Sequence, residues 1–173
     1  TLTIERAPES ALDGVKPVPR WSARVITVSD GVASGIREDR GGPAVVEALR
    51  RAGAEVSEPT VVGDGIDSVA SALTRACTGF NGLVVTTGGT GFGPRDLTPE
   101  ASGKVIEREA PGLAEAMRSV NPLGRLSRGL AGATGEALIL NLPGSPGGAV
   151  ECLEAVIDVV PHALKMLRGD TGH

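Results

Sequence analysis

The sequence predicts an α/β fold in which a largely parallel sheet carries helices on both faces. Short apolar runs rich in β-branched residues alternate with stretches of helical periodicity. Each stretch between runs is long enough to cross over between parallel strands. The 173 residues are 40% hydrophobic but only 2% aromatic. The core must therefore be built from Val, Leu, Ile and Ala, which suits helices packed on a sheet.

Residues 1–21 carry Pro8, Pro17 and Pro19 without sustained periodicity and read as an extended N-terminal arm. Trp21 could pin that arm to the body or to another subunit. A single domain then covers 22–173, a size that supports a substantial core. Residues 23–28, ARVITV, form the first strand, ended by Ser29-Asp30-Gly31. A polar loop runs on through Arg40. Gly42-Pro43 opens a helix in which Val45, Val46, Leu49 and Ala52 share a face, and Gly53 ends it. Residues 55–62 form a second strand, where Pro59 calls for an edge position or a break. Gly63-Asp64-Gly65 is a turn. Asp67 then caps a helix over 68–77, with Val69, Leu73 and Ala76 inward.

Residues 82–87 form the third strand, which runs into VVTTGGTGFGPRDLTP at 84–99. There Thr98 reads as an N-cap and Pro99 as the first helical residue. The helix continues over 100–109, with Val105 and Ile106 inward, and Pro111-Gly112 breaks it. A short helix over 113–120 stops at Asn121-Pro122. Residues 137–142, ALILNL, form a further strand that can pair with 130–134 through a turn at Gly135. After Pro143 to Pro146 comes the last helix, carrying Leu153, Val156, Ile157, Val160, Leu164 and Leu167. Pro161 should kink it or split it in two.

The net charge is −4, from 17 Lys+Arg and 21 Asp+Glu. That balance argues against bulk attraction to nucleic acid or to anionic lipid. No run is long enough to span a membrane, and the N-terminus lacks a signal-peptide core. Cys77 and Cys152 fall inside expected helices, without metal-ligand spacing, and read as small buried residues of a reduced cytoplasmic protein. His162 and His173 have no neighbours that would make a triad.

In open sheets of this class, ligands bind beyond the carboxyl ends of the strands. Four loops should meet there: 29–40, 63–67, 86–99 and 143–146. The glycine-rich one combines a strand end, Gly88, Gly89, Gly91 and Gly93, and a helix start, which makes an anion cradle. It has neither the GxxxxGK[ST] lysine nor GxGxxG spacing, so a nucleotide would be held by a different scheme. Asp64 and Asp96 each follow a strand on this edge, and paired carboxylates beside a phosphate cradle suit Mg²⁺. On local grounds Asp64 is equally a turn residue, and Asp96 equally a partner for Arg95. Asp30 and Asp39 are weaker candidates on the first loop. Ser127, beside Arg125 and Arg128, is either a phosphate contact or a solvated loop residue. Ser145-Pro146 marks a helix start with amides that can serve a second anion.

Several segments together resemble the MogA/MoaB family of molybdenum-cofactor biosynthesis, which also includes gephyrin. They are TTGGTGFGPRDLTPEA, VITVSDGVASGIREDRGGP, LSRGLAG and LILNLPGSPGGAVECLEAV. The likeness covers 23 to about 169. It implies a three-layer α/β/α molybdopterin-binding domain, usually a homotrimer. It also implies molybdopterin adenylyltransferase activity: Mg-ATP donates AMP to the terminal phosphate of molybdopterin, pyrophosphate leaves, and the product passes to a molybdate-inserting partner. Carried over residue by residue, Asp64 and Asp96 take the places of the family's acids. Gly88, Gly89, Thr90 and Gly91 take those of its phosphate loop, and Ser127 that of a substrate serine. Pro143, Gly144 and Ser145 match its second binding turn, and Ser29 and Asp30 its strand-end motif. Some MoaB-type relatives keep the fold without clear activity, so a pterin-binding carrier is the alternative. A scaffold of the gephyrin kind is a weaker one.

Overall fold

A computed structural model describes residues 20–170. Residues 1–19 of the arm expected over 1–21, and His173, lie outside the described residues. The strands are β1 (Trp21–Val28), β2 (Ala54–Val56), β3 (Thr60–Val62), β4 (Leu83–Thr87), β5 (Arg108–Glu109), β6 (Ala131–Thr134) and β7 (Ala137–Leu142). The helices are α1 (Asp30–Ala33), α2 (Gly41–Arg51), α3 (Ile66–Cys77), α4 (Thr98–Val105), α5 (Pro111–Arg118), α6 (Pro146–Glu154) and α7 (Val160–Leu167). The sheet runs β2-β1-β4-β7-β6-β5, with β3 also paired to β1. Strands β2, β3, β1, β4 and β7 are parallel, and β6 and β5 add antiparallel pairings.

Period-two alternation decides the layers. Val25, Leu83, Val85, Leu138 and Leu140 face one core with Val45 and Leu49 of α2, Met117 of α5, Leu153 of α6 and Leu164 of α7. Ile26, Val28, Val84 and Ile139 face the other core, with Val69 and Leu73 of α3 and Ala101 of α4. The fold is thus a three-layer α/β/α arrangement. Leu83, Val84 and Val85 are fully buried, and each such side chain contributes roughly 1.5–3 kcal/mol over leaving it in water.

Four local expectations are corrected. Strand β1 begins at Trp21, two residues early, because Trp21 pairs with Ala54 and packs in the core. The strand expected over 55–62 is two strands. The chain leaves the sheet between Val56 and Thr60, around Pro59, and both pieces pair on the same side of β1. Helix α4 ends at Val105, and Arg108–Glu109 pairs with Gly132 and Ala133 instead. Asp67 and Thr98 are not caps: α3 follows Gly65 and α4 follows Leu97, neither with a side-chain cap. The last helix is split as Pro161 requires, with a 3-10 turn over Ile157–Val159 between α6 and α7.

Candidate functional site

All four expected loops line one cavity of about 810 Å³ at the carboxyl ends of β1, β3, β4 and β7. That volume is in the range of ligand sites. The glycine loop is held by close approach. Gly88 has φ +107°, and a Cβ on it would collide with Val28 O; its N–H donates to Leu142 O at 3.1 Å. Gly89 has φ +69°, and a Cβ there would strike Thr98 Oγ1. Only glycine takes such a backbone path without strain. The Thr98 hydroxyl, freed from capping, donates to Gly88 O at 2.9 Å, and Thr87 Oγ1 donates to Pro143 O at 2.8 Å.

The acids divide by what they already hold. Asp39 accepts from Thr27 Oγ1 (2.7 Å) and from Gly42 N (2.9 Å), so it secures the start of α2. Asp30 and Asp64 exchange bonds: Asp30 N donates to Asp64 Oδ2 at 2.9 Å, and Asp64 N to Asp30 Oδ1 at 3.0 Å. Arg95 completes this clasp. It pairs with the Asp30 carboxylate (3.0 Å) and donates to Asp64 O at 2.8 Å. Hydrogen bonding from that guanidinium holds the Asp30 carboxyl below its ordinary range. The Arg95–Asp96 pair, the alternative reading of Asp96, is therefore not formed. Asp96 Oδ2 accepts from Gly93 N at 2.8 Å. One oxygen of Asp64 and one of Asp96 thus accept nothing from the described residues, and both carboxylates line the cavity.

A second cavity of about 220 Å³ adjoins the first, and Ser145 lines both. Thr90, Gly91, Ser127 and Pro143 line the second, whereas Ser29, Asp30, Asp64, Gly88, Gly89, Asp96 and Gly144 line the first. The sequence candidates therefore fall into two groups divided by the glycine loop. The second cavity also has Met117, Leu123, Leu126 and Cys152 in its wall, an apolar surround for a flat ring. Ser29 Oγ accepts from Val32 N at 3.2 Å and caps α1, a helix absent from the sequence reading. Ser127 Oγ accepts from Gly129 N at 3.2 Å.

Arg128 does not reach into either cavity. It donates to Gly91 O (2.8 Å) and Asp96 O (2.6 Å) and pairs with Glu100, pinning the glycine loop from behind. Arg125 donates to Pro122 O. Two groups of residues were missed by sequence reasoning. Arg37 and Arg40 line the large cavity; the sequence placed them only in a polar loop beside Glu38 and Asp39. Asn141 is buried in β7, with Nδ2 donating to Thr86 Oγ1 (3.0 Å) and Ser102 Oγ (2.9 Å), while Oδ1 accepts from Leu130 N (3.0 Å). A polar residue within ALILNL was the available signal. Both cysteines are buried and free, and burial pushes the Cys77 thiol up to about 11, away from the reactive thiolate form. No helix of the described residues is long and apolar enough to cross a membrane.

A parallel α/β sheet with a glycine cradle, two available carboxylates and a twin cavity at its carboxyl edge defines a binding domain for an anionic ligand. A family model described as "Probable molybdopterin binding domain" matches residues 24–162. The chain belongs to this family of molybdopterin-binding domains. It is 39% identical over 153 residues to the molybdopterin adenylyltransferase of Helicobacter pylori strain 26695, covering 84% of this chain and 87% of that one. The molybdopterin adenylyltransferase of Escherichia coli K12 is 35% identical over 164 residues, with 84% of each covered. Among solved structures, the molybdopterin biosynthesis enzyme MoaB of Thermus thermophilus superposes with a TM-score of 0.81 at 44% identity, covering 86% of this chain and 97% of that one.

Proposed function

We propose that this chain is a molybdopterin adenylyltransferase that acts as one domain over 22–173. The observation that carries the reading is the twin cavity. A nucleotide fits the large polar one, and a pterin fits the smaller, apolar-walled one. The two meet at Ser145 and the glycine loop, where two phosphates would face each other. Relatives at 35–39% identity over most of their length carry the same activity in their names.

In the reaction, an oxygen of the pterin phosphate forms a bond to the α-phosphorus of ATP. The bond from that phosphorus to the bridging oxygen breaks, and pyrophosphate leaves with the electron pair. The nucleophile is already largely deprotonated at neutral pH, so charge neutralisation and alignment dominate over base catalysis. Amides of Gly88 to Gly91 cradle a phosphate. No group of three or more metal-ligating side chains exists among the described residues. Asp64 and Asp96, each with a carboxylate oxygen free of partners among the described residues, would hold a Mg²⁺ accompanying the triphosphate. Bound there, it would supply charge neutralisation of the phosphates. A homotrimeric assembly, a cytoplasmic location and hand-over to a molybdate-inserting partner belong to the same reading through the family resemblance.

Incubation with Mg-ATP and molybdopterin should yield the adenylylated pterin and pyrophosphate. Folded protein that binds the pterin but forms no adduct would favour the carrier alternative.

A further inference from the structure

We propose that Arg37 and Arg40 hold the β- and γ-phosphates of the nucleotide and receive the pyrophosphate as it leaves. This assignment rests on the adenylyltransferase reading and adds to it the direction of the reaction within the site.

Five carboxylates line the large cavity: Asp30, Glu38, Asp39, Asp64 and Asp96. Arg95 neutralises Asp30, and Asp39 is engaged at the start of α2. The cavity's unpaired carboxylates oppose the charge of a triphosphate, so cationic side chains in the lining favour its binding. Arg37 and Arg40 are the only cationic side chains lining it among the described residues. Neither forms an ion pair among those residues. Arg95 and Arg128, by contrast, are committed to carboxylates and carbonyls.

The attacking phosphate enters from the second cavity, at the glycine loop and Ser145. Phosphoryl-type transfer places the attacking and leaving oxygens roughly in line. The leaving group must then lie on the side of the large cavity that the second cavity does not share. The loop from β1 to α2 lines the large cavity and takes no part in the second.

The loop is built to present these side chains. Gly31 O accepts from both Ile36 N (2.9 Å) and Arg37 N (3.0 Å), folding the segment back on α1. The Arg37 guanidinium stem then lies over Gly31, where an added Cβ would stand 3.3 Å from Nε. Arg40 immediately precedes α2, whose first residue, Gly41, packs against Thr87 and Gly144.

The test is calorimetric binding of ATP, AMP and inorganic pyrophosphate, each with Mg²⁺, to the full chain and to an R37A/R40A double variant. Loss of charge-assisted bonds to the outer phosphates should weaken ATP and pyrophosphate at least about tenfold and leave AMP within about twofold. An R37K/R40K variant should recover most of the loss. Equal weakening of AMP and ATP, or unchanged ATP binding, overturns the assignment while leaving the adenylyltransferase reading intact. A wild-type chain that binds the pterin and no nucleotide overturns both.

Discussion

Replacing Asn141 with alanine should destabilise the domain and loosen the second cavity together. Asn141 is 2% exposed, and Thr86 and Ser102 are fully buried. Its side chain makes three hydrogen bonds that join β7 to β4, to α4 and to the segment following Ser127. At about 1 kcal/mol net for each bond, the loss is about 3 kcal/mol. For a domain of this size that corresponds to a fall in Tm of roughly 6–12 °C. Thr86→Val removes one of the three and should cost about 1 kcal/mol. The double variant should fall short of the sum by about the same 1 kcal/mol, because both changes remove one shared bond. Urea unfolding of the four proteins measures these terms. Pterin affinity should also weaken in Asn141→Ala, since Asn141 itself lines the second cavity with Ser127 and Gly129, and Leu130 follows them. A loss below about 1 kcal/mol, or strict additivity with Thr86→Val, would refute the view that this network holds the cavity together.

Three further outcomes are expected. Asp64→Ala and Asp96→Ala should each slow single-turnover adduct formation at least ~100-fold, about 2.7 kcal/mol of barrier, with folding retained; near-normal rates in both would remove the metal assignment. Gly88→Ala forces a side chain to a φ of +107° and against Val28 O. Differential scanning calorimetry should register at least about 2 kcal/mol of destabilisation. Arg95→Ala should change the acid limb of stability. The Asp30 carboxyl is held below its ordinary value of 3.8 in the folded chain. Its contribution is therefore present above that value and is lost as pH falls through the lowered one. Without Arg95, the fall in Tm as pH drops from neutral through 3.8 and below should be weaker; identical acid limbs would contradict the clasp.

Much of the edge that forms the site was legible in local chemistry. The runs ARVITV, LVVTT and ALILNL are buried strands because continuous β-branched and aliphatic residues fit a sheet covered on both faces. The glycines at 88 and 89 marked a backbone path closed to other residues, and Pro161 marked the split in the last helix. From the alternation of strands and helices alone, the four loops could be placed on one edge. The short pieces were less legible. Arg108–Glu109 reads as a helix end in isolation, and becomes a strand only because Gly132 and Ala133 stand ready to pair with it. Thr98 and Asp67 look like caps by residue type, but neither caps its helix, and the Thr98 hydroxyl finds a closer partner in Gly88 O.

By itself, the sequence determined the layers and the four loops, because period, turn chemistry and helix starts act over a few neighbouring residues. Only the tertiary structure decided which charges are already spent. Arg95 lies 65 positions from Asp30, and Arg128 lies 37 from Gly91, distances that no local pattern spans. The division of the site into two cavities has the same origin. Thr90 and Gly91 turn to one side of the glycine loop and Gly88 and Gly89 to the other, because packing against Val28, Thr98 and Arg128 leaves the loop no other course.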